Sequence, residues 1–334
     1  MNPTISGHSR RALAAALLLL SAPPLAAIDT TRDDVRAFID RVAETHQVER
    51  QIVADWLAAA ELQPRIIAAI SKPAERVRPW HEYREIFLTP ERIKAGVEFW
   101  NEHAATLAAA EEAYGVPAEI IVGIIGVETY YGRIVGSYRV RDALATLAFD
   151  YPPRSRFFTA ELEAYFLLSR AEGWSVDEVR GSYAGAMGRG QFIPTSYREY
   201  AVDFDKDGRR DLFNSWPDAI GSVANYLRRH RWRADKPTLS RASIVKPFTI
   251  YPPKKNELKL NSTLGELRSG GVRTTSKAPD AEPATLIRLD GKGRNEYWVG
   301  MHNFYVITRY NRSVMYALAV WQLGDAIAAA RQRN

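Results

Sequence analysis

The sequence predicts an α+β protein in which helix predominates. Apolar residues recur at helical spacing through most of the first 230 positions. Short alternating segments are confined to about 236–299, where Pro, Lys and Thr become frequent. At 334 residues the chain also exceeds the length at which one hydrophobic core usually stops growing, so more than one subdomain is expected.

The elements follow in chain order. From about Thr31 to Ala113 the chain reads as helical, with Val35, Phe38, Ile39 and Val42 on one apolar face and Val53, Trp56 and Leu57 on the next. Thr89-Pro90-Glu91 has the chemistry of a helix start, a Thr cap followed by Pro in the first turn. Ile93, Val97, Trp100, Ala104 and Leu107 continue on one face. Gly115-Val116-Pro117 opens another helix, apolar all round from Ile120 to Val127 and therefore destined for a core. Helices are predicted over Thr159–Glu172 and Trp216–His230, with a glycine-rich stretch from Gly181 to Gly190 between them. Phe248–Tyr251 and Leu286–Leu289 alternate as strands do, and Gly291 and Gly293 lead into Tyr297-Trp298-Val299 as a hairpin. A last helix is predicted from about Val314 to Ala330.

With 46% apolar and 25% charged residues, the chain is an ordinary globular protein rather than a disordered one. The net charge of +6 names no partner by itself. No Lys/Arg run and no finger-type metal spacing is present, so nucleic acid is not an expected partner. The absence of cysteine excludes disulfides, a thiolate nucleophile, cysteine-ligated zinc and a lipid carried on cysteine. Residues 1–27 read as a signal peptide: Arg10 and Arg11, the apolar run Ala12–Leu20, breakers at Ser21, Pro23 and Pro24, then small residues at Ala26-Ala27. The run is too short to span a bilayer. An uncleaved anchor is the alternative; removal would leave a soluble protein of charge +4 outside the cytoplasm.

Three features carry chemistry. Glu128 ends the apolar run Ile120–Val127, so burial and the negative end of the helix dipole both favour its neutral acid. Such a group can protonate a leaving oxygen near neutral pH. A buried glutamate paired with Arg133 or Arg139 fits the same periodicity. The stretch Gly181–Pro194 would let backbone approach a ligand closely, with Ser182 and Gln191 able to bond hydroxyl or acetamido groups. From Asp203 to Asn214 the chain matches a calcium loop, with acids at positions one, three and five (Asp203, Asp205, Asp207) and Gly208 at six. Arg209 stands at position seven, where such loops use a backbone carbonyl, and Asp211 at nine. Asn214 replaces the usual glutamate at twelve, and Asp218 stands close enough in sequence to supply that carboxylate. A solvated acidic turn is the alternative.

Gly126-Val127-Glu128-Thr129-Tyr130-Tyr131-Gly132, Ala184–Pro194, Asp218–Leu227 and Asn303–Asn311 together resemble the lytic murein transglycosylase B family, in its soluble periplasmic form. The resemblance covers nearly all of the chain beyond residue 27. It implies a lysozyme-like core over 115–235, completed by 300–312. A helical domain over 28–114, completed by 313–334, and a small β-rich domain over 236–299 would flank it. It implies Glu128 as the one essential carboxylate, a calcium ion in the loop from Asp203, and no organic cofactor. Glycan contacts are implied at Tyr83, Arg154, Ser182, Gln191, Phe192, Tyr226, Tyr310, Asn311 and Tyr316. The chain departs from the family pattern at Pro153, where a basic residue would pair with Arg154; Arg156 is the nearest substitute. The implied reaction cuts the β-1,4 bond between N-acetylmuramic acid and N-acetylglucosamine and closes a 1,6-anhydro ring. A muramidase that adds water, or a non-catalytic glycan-binding protein, are the rival readings. The implied partners are glycan strands of peptidoglycan, with other cell-wall enzymes as candidates, no stable membrane anchor and a monomeric state.

Overall fold

The computed structural model describes residues 26–71, 78–175, 177–256 and 259–333, so most of the predicted signal segment lies outside the described residues. At its edge the backbone of Ala26 accepts from Leu62 N at 2.8 Å, which fastens this end of the chain to the helical region.

Among the described residues the N-terminal part has six helices: α1 (Asp33–His46), α2 (Arg50–Ala58), α3 (Pro64–Ile70), α4 (Trp80–Glu85), α5 (Pro90–Glu102) and α6 (Ala104–Tyr114). Helix α1 opens with Asp33 and Asp34 at the positive end of its dipole and turns Val35, Phe38, Ile39 and Val42 inward. The Thr89 side chain accepts from Arg92 N at 3.2 Å and Pro90 fills the first turn of α5, as the sequence predicts. Gly115, at φ 69°, ends α6 in the left-handed conformation.

Next come α7 (Ala118–Thr129), strand β1 (Tyr138–Arg139), α8 (Val140–Asp150), α9 (Ser155–Ala171), β2 (Arg180–Gly181), α10 (Pro194–Tyr200) and α11 (Trp216–Arg229). Helix α7 buries Ile120, Ile121, Val122, Gly123, Ile124, Ile125 and Gly126. Helix α9 starts earlier than its apolar pattern indicates, because a 3₁₀ turn over Pro152–Arg154 leads straight into it. Strands β1 and β2 form a two-residue antiparallel pair that the sequence does not announce.

A five-stranded antiparallel sheet follows, of order β4-β6-β7-β3-β5: β3 (Leu239–Ile244), β4 (Ser262–Thr263), β5 (Val272–Thr274), β6 (Pro283–Asp290) and β7 (Asn295–Met301). Helix α12 (Leu264–Ser269) lies within it, started by a capping box of Thr263 and Glu266. The predicted hairpin joins β6 to β7 with Leu286 opposite Val299. Phe248–Tyr251, predicted as a strand, is a turn instead. Pro247, Pro252 and Pro253 flank it and lack the N–H groups a ladder needs, and Thr249 N bonds Gly270 O at 3.1 Å. The sheet has two apolar faces. Leu264, Leu267, Ala284, Leu286, Val299 and Met301 form a small core of their own. Ile287, Leu289 and Trp298 join the main core shared by all the large helices.

The chain closes with α13 (His302–Tyr310) and α14 (Val314–Arg333), bent by 107° at the break between them. No single described helix is long and apolar enough to cross a membrane. Helix α14 crosses α7 at glycine contacts. A Cβ at Gly123 would sit 2.5 Å from Val320 O, and one at Gly324 would sit 2.2 Å from Glu119 O. Only hydrogen fits at either point, and the close crossing brings Tyr316 on α14 against Glu128 on α7.

Candidate active site

Glu128 is the penultimate residue of α7 and is half-buried. The chain leaves the helix through three successive left-handed residues, Tyr130 (φ 51°), Tyr131 (φ 57°) and Gly132 (φ 81°). Two of them are not glycine, which stores roughly 1–2 kcal/mol apiece. Several contacts hold this turn. Arg92 Nη1 donates to Gly126 O at 2.6 Å, with its guanidinium 4.3 Å from the Tyr130 ring centre. Thr129, fully buried, donates from Oγ1 to Arg189 O at 3.0 Å and accepts from Gly132 N at 3.0 Å. Arg189 N in turn donates to Leu212 O at 2.8 Å, and its guanidinium lies 4.0 Å from the Trp216 ring centre. The turn after Glu128, the glycine-rich loop and the acidic loop are therefore joined through Thr129 and Arg189.

Tyrosines surround the carboxylate. Tyr316 donates its hydroxyl to Glu128 Oε1 at 2.5 Å. Tyr310 donates to Gly190 O at 2.5 Å and Tyr226 to Arg309 O at 2.6 Å. Phe192 packs between these last two, its ring centre 5.8 Å from each. Burial, with the charge of Glu128 adding to it, pushes the phenols of Tyr310 and Tyr316 well above their ordinary range. Burial does the same for Tyr226. All three therefore stay protonated and act as donors near Glu128. Tyr83 on α4 is buried against Trp80 and Phe87 and adds to the upward push on Tyr316.

The remaining predicted contacts fall in different places. Ser182 Oγ accepts from Ala184 N at 3.2 Å and Ala186 N at 3.1 Å, which shapes the glycine-rich loop and leaves its hydroxyl proton to donate. Gln191 is left-handed at φ 51° and donates to Val135 O and Gly188 O, both at 3.1 Å. Phe192 is only 2% exposed, so it supports the neighbouring tyrosines from beneath rather than offering an open face. Asn311 is exposed at the break between α13 and α14. Arg154 is exposed too, with its guanidinium over Phe157 at 4.3 Å and Phe158 at 5.0 Å, and none of its described contacts joins it to the tyrosine cluster. The two arginines weighed as partners of Glu128 lie elsewhere. Arg139 faces Glu61 and Asp142, both at 3.8 Å, and Arg133 lies over the Tyr130 ring.

Glu161 escapes a reading of the sequence. It is 3% exposed and accepts from Thr195 N at 3.0 Å and Thr195 Oγ1 at 2.7 Å, fixing the end of the glycine-rich stretch to α9. Its signal was present: an acid within the apolar stripe of Phe158, Leu162 and Tyr165.

In the acidic loop, carboxylate oxygens of Asp203, Asp205 and Asp218 lie within 4.8 Å of one another. Asp218 is 1% exposed, and burial raises its pKa although Phe204 N and Asp211 N donate to it at 2.7 and 2.8 Å. Gly208 supplies the left-handed turn at φ 92°. Asp207 Oδ1 accepts from Arg209 N at 2.8 Å, and Asp211 accepts from Phe213 N and Asn214 N at 2.8 and 2.9 Å. Three converging carboxylates, one of them deeply buried, suit a hard divalent cation such as calcium. Beside this loop a cavity of about 890 Å³ is lined by Val135, Trp174, Gly188, Arg209 and Asp211 among others.

An acid at the end of a deeply buried helix, beside a cluster of phenols within a helical α+β fold, fits a lysozyme-like enzyme that cuts glycan chains. Comparison with known proteins narrows this. The family model described as the transglycosylase SLT domain matches residues 30–325. Membrane-bound lytic murein transglycosylase B of Escherichia coli (strain K12) is 42% identical over 308 residues, covering 89% of this chain and 83% of that protein. The structure of the catenated lytic transglycosylase SltB1 from Pseudomonas aeruginosa superimposes with a TM-score of 0.84 at 48% identity, over 90% of this chain and 98% of that one. The Escherichia coli lytic transglycosylase Slt35 in complex with calcium gives a TM-score of 0.81 at 40% identity, over 92% and 97%. The chain belongs to the lytic murein transglycosylase B family. It is a lytic transglycosylase, a lyase acting on the glycan strands of peptidoglycan.

Proposed function

We propose that Glu128 is the catalytic acid and base of this lytic transglycosylase, acting on the β-1,4 bond between N-acetylmuramic acid and N-acetylglucosamine. The observation that carries the reading is the Tyr316 hydroxyl at 2.5 Å from Glu128 Oε1, among tyrosines that burial keeps protonated. In the first step Glu128 gives its proton to the glycosidic oxygen, the C1–O bond breaks, and the N-acetylglucosamine side leaves as an alcohol. The muramic ring passes through an oxocarbenium-like state supported by its own acetamido group. In the second step the ionised Glu128 takes the proton of the C6 hydroxyl, whose oxygen closes on C1 to give the 1,6-anhydro ring. Water is neither consumed nor released, and Glu128 ends as it began. The role of Tyr316 is to fix the carboxylate between the two positions where it exchanges protons.

Glycan contacts are assigned to Tyr83, Arg154, Ser182, Gln191, Tyr226, Tyr310, Asn311 and Tyr316, with the buried Phe192 supporting the tyrosines from beneath. Asp203, Asp205 and Asp218 would hold calcium, with Asp207, Asp211 and the Arg209 carbonyl shaping the loop; the ion would supply charge neutralisation and rigidity there. The calcium complex of Slt35 supports this assignment. The domain division is the one the resemblance implies, and a periplasmic location fits both the N-terminal segment and the substrate. Digestion of purified peptidoglycan, followed by mass analysis, tests the reaction. The muropeptides should be one water lighter than those a hydrolase releases and should lack a reducing muramic end. Products with a reducing end would replace this reading with a muramidase.

A further inference from the structure

We propose that the small β domain carries a subsite for the acidic peptides of peptidoglycan, formed where residues 250–255 lie against β6. The proposal rests on peptidoglycan being the substrate. Charge gives the first argument. Residues 236–299 contain 12 Lys and Arg against 6 Asp and Glu, whereas 28–235 and 300–334 together contain 31 against 33. Beyond residue 27 the positive charge of the chain therefore resides in the sheet domain, and such asymmetry steers anions to one face.

Part of that charge is gathered at one edge. Asn256 donates from Nδ2 to Arg288 O at 2.7 Å and accepts from Arg288 N at 3.0 Å, so its amide pairs with β6 as a neighbouring strand would. Arg288 Nη2 donates to Lys254 O at 3.1 Å. Lys254, Lys255 and Arg288 are thus held together, with both lysines exposed. Two cations elsewhere in the domain have acidic partners, Arg268 with Asp280 and Arg241 with Glu296. Among the described residues no carboxylate pairs with Lys254, Lys255 or Arg288. Cations gathered at one edge repel one another, and an anionic ligand relieves that repulsion.

A cavity of about 320 Å³ adjoins them, lined by Ile250, Tyr251, Pro253, Leu267, Thr285 and Leu286. Of its apolar walls only Tyr251, at 76%, is exposed. This recess suits small aliphatic side chains beside a carboxylate, the chemistry of the alanine-rich, acidic peptides carried on muramic acid. An anionic lipid surface would instead require several exposed apolar groups on a common face, and Leu267 and Leu286 are buried.

Location gives the last argument. β6 ends at Asp290, whose carbonyl lies 3.2 Å from His81 Nδ1 on α4, the helix that carries Tyr83 of the tyrosine cluster. Two strand residues, about 7 Å, separate Asp290 from Arg288.

The test compares wild type with the charge-reversed Lys254→Glu/Lys255→Glu variant, and separately with Tyr251→Ser, on two substrates: intact sacculi, and glycan strands stripped of peptide by an amidase. On sacculi both variants should raise KM at least fivefold with kcat unchanged, and on stripped strands neither parameter should move. The acidic tetrapeptide released from sacculi should bind wild type in a salt-weakened manner and not bind the double variant. Equal KM changes on both substrates, or none on either, would overturn the subsite. So would retention of wild type but not variant on vesicles containing anionic phospholipid with KM on sacculi unmoved, which would make this edge a membrane contact. Cleavage of stripped strands by all proteins serves as the control on the substrate itself, so a failure there reads against the glycan reaction and not against the peptide site.

Discussion

At the scale of single residues the proposed chemistry depends on one carboxylate and the hydroxyl bonded to it. Glu128→Gln keeps the size of the side chain and removes its exchangeable acid proton. General acid–base catalysis is worth about 10²–10⁴-fold. Because one group is assigned both proton transfers, the loss of kcat should reach or pass the upper end of that range, with the circular dichroism spectrum unchanged. Residual activity within tenfold of wild type would move the catalytic role elsewhere. Tyr316→Phe is the finer probe. It keeps the ring and removes the bond to Glu128 Oε1. A hydrogen bond to a charged group contributes roughly 1.5–3 kcal/mol. If that energy serves to orient the carboxylate, kcat should fall about tenfold to a hundredfold with KM little altered. A rise in KM at constant kcat would instead make Tyr316 a simple glycan contact.

At the scale of elements, two attachments hold the loops in place, and each can be tested. Glu161 ties α9 to Thr195, and burial raises its pKa above the ordinary 4.5 despite bonds that pull the other way. A carboxyl raised on folding favours the native state when protonated. Its contribution is complete below the unfolded value of about 4.5 and is lost as pH rises through the higher folded value. Glu161→Gln can still accept from Thr195 N without a buried charge. The urea midpoint of wild type should therefore gain on going from pH 7 toward pH 5 relative to that of the variant; parallel midpoints would show that the ionised form is fully compensated. In the acidic loop, calcium should raise Tm, since a ligand confined to the folded state stabilises it. Asp203→Asn with Asp205→Ala should abolish the response, and an undiminished shift would put the ion elsewhere. Both elements also show what could be read beforehand. Helix α5 was legible because cap and apolar period agreed, α7 because its apolar run is unbroken, and the acidic loop because its spacing is local. Contacts such as Tyr316 with Glu128, 188 residues apart, are not written in local pattern, and the family resemblance implied Tyr316 only as a glycan contact. Phe248–Tyr251 alternates but forms no strand because Pro247, Pro252 and Pro253 flank it, and the role of Glu161 depends on Thr195, 34 residues away, which no local pattern announces.

At the scale of the molecule, the two faces of the sheet decide how the β domain stands to the rest. One face has a small core of its own, while Ile287, Leu289 and Trp298 enter the large core that the helices share. Trp298 is 6% exposed and meets Trp321 of α14 at 6.0 Å between ring centres. Polar contacts reinforce the junction: Arg84 on α4 lies 3.5 Å from Glu296, and His81 faces the Asp290 carbonyl. The seven-residue inner cluster is too small to stabilise the sheet by itself, so the β domain should borrow its stability from the helical body. Trp298→Ala should remove about 3–5 kcal/mol from that junction. The loss should be local first. Amide exchange in β3, β6 and β7 should accelerate strongly, while the amides of α7, buried between α14 and its neighbours, should keep their protection. Thermal unfolding of the variant should then show two steps, with the sheet melting ahead of the helices. If exchange instead accelerates equally in β7 and α7, the molecule unfolds as one cooperative unit, and the Lys254–Arg288 edge and the helix that carries Glu128 share a single stability.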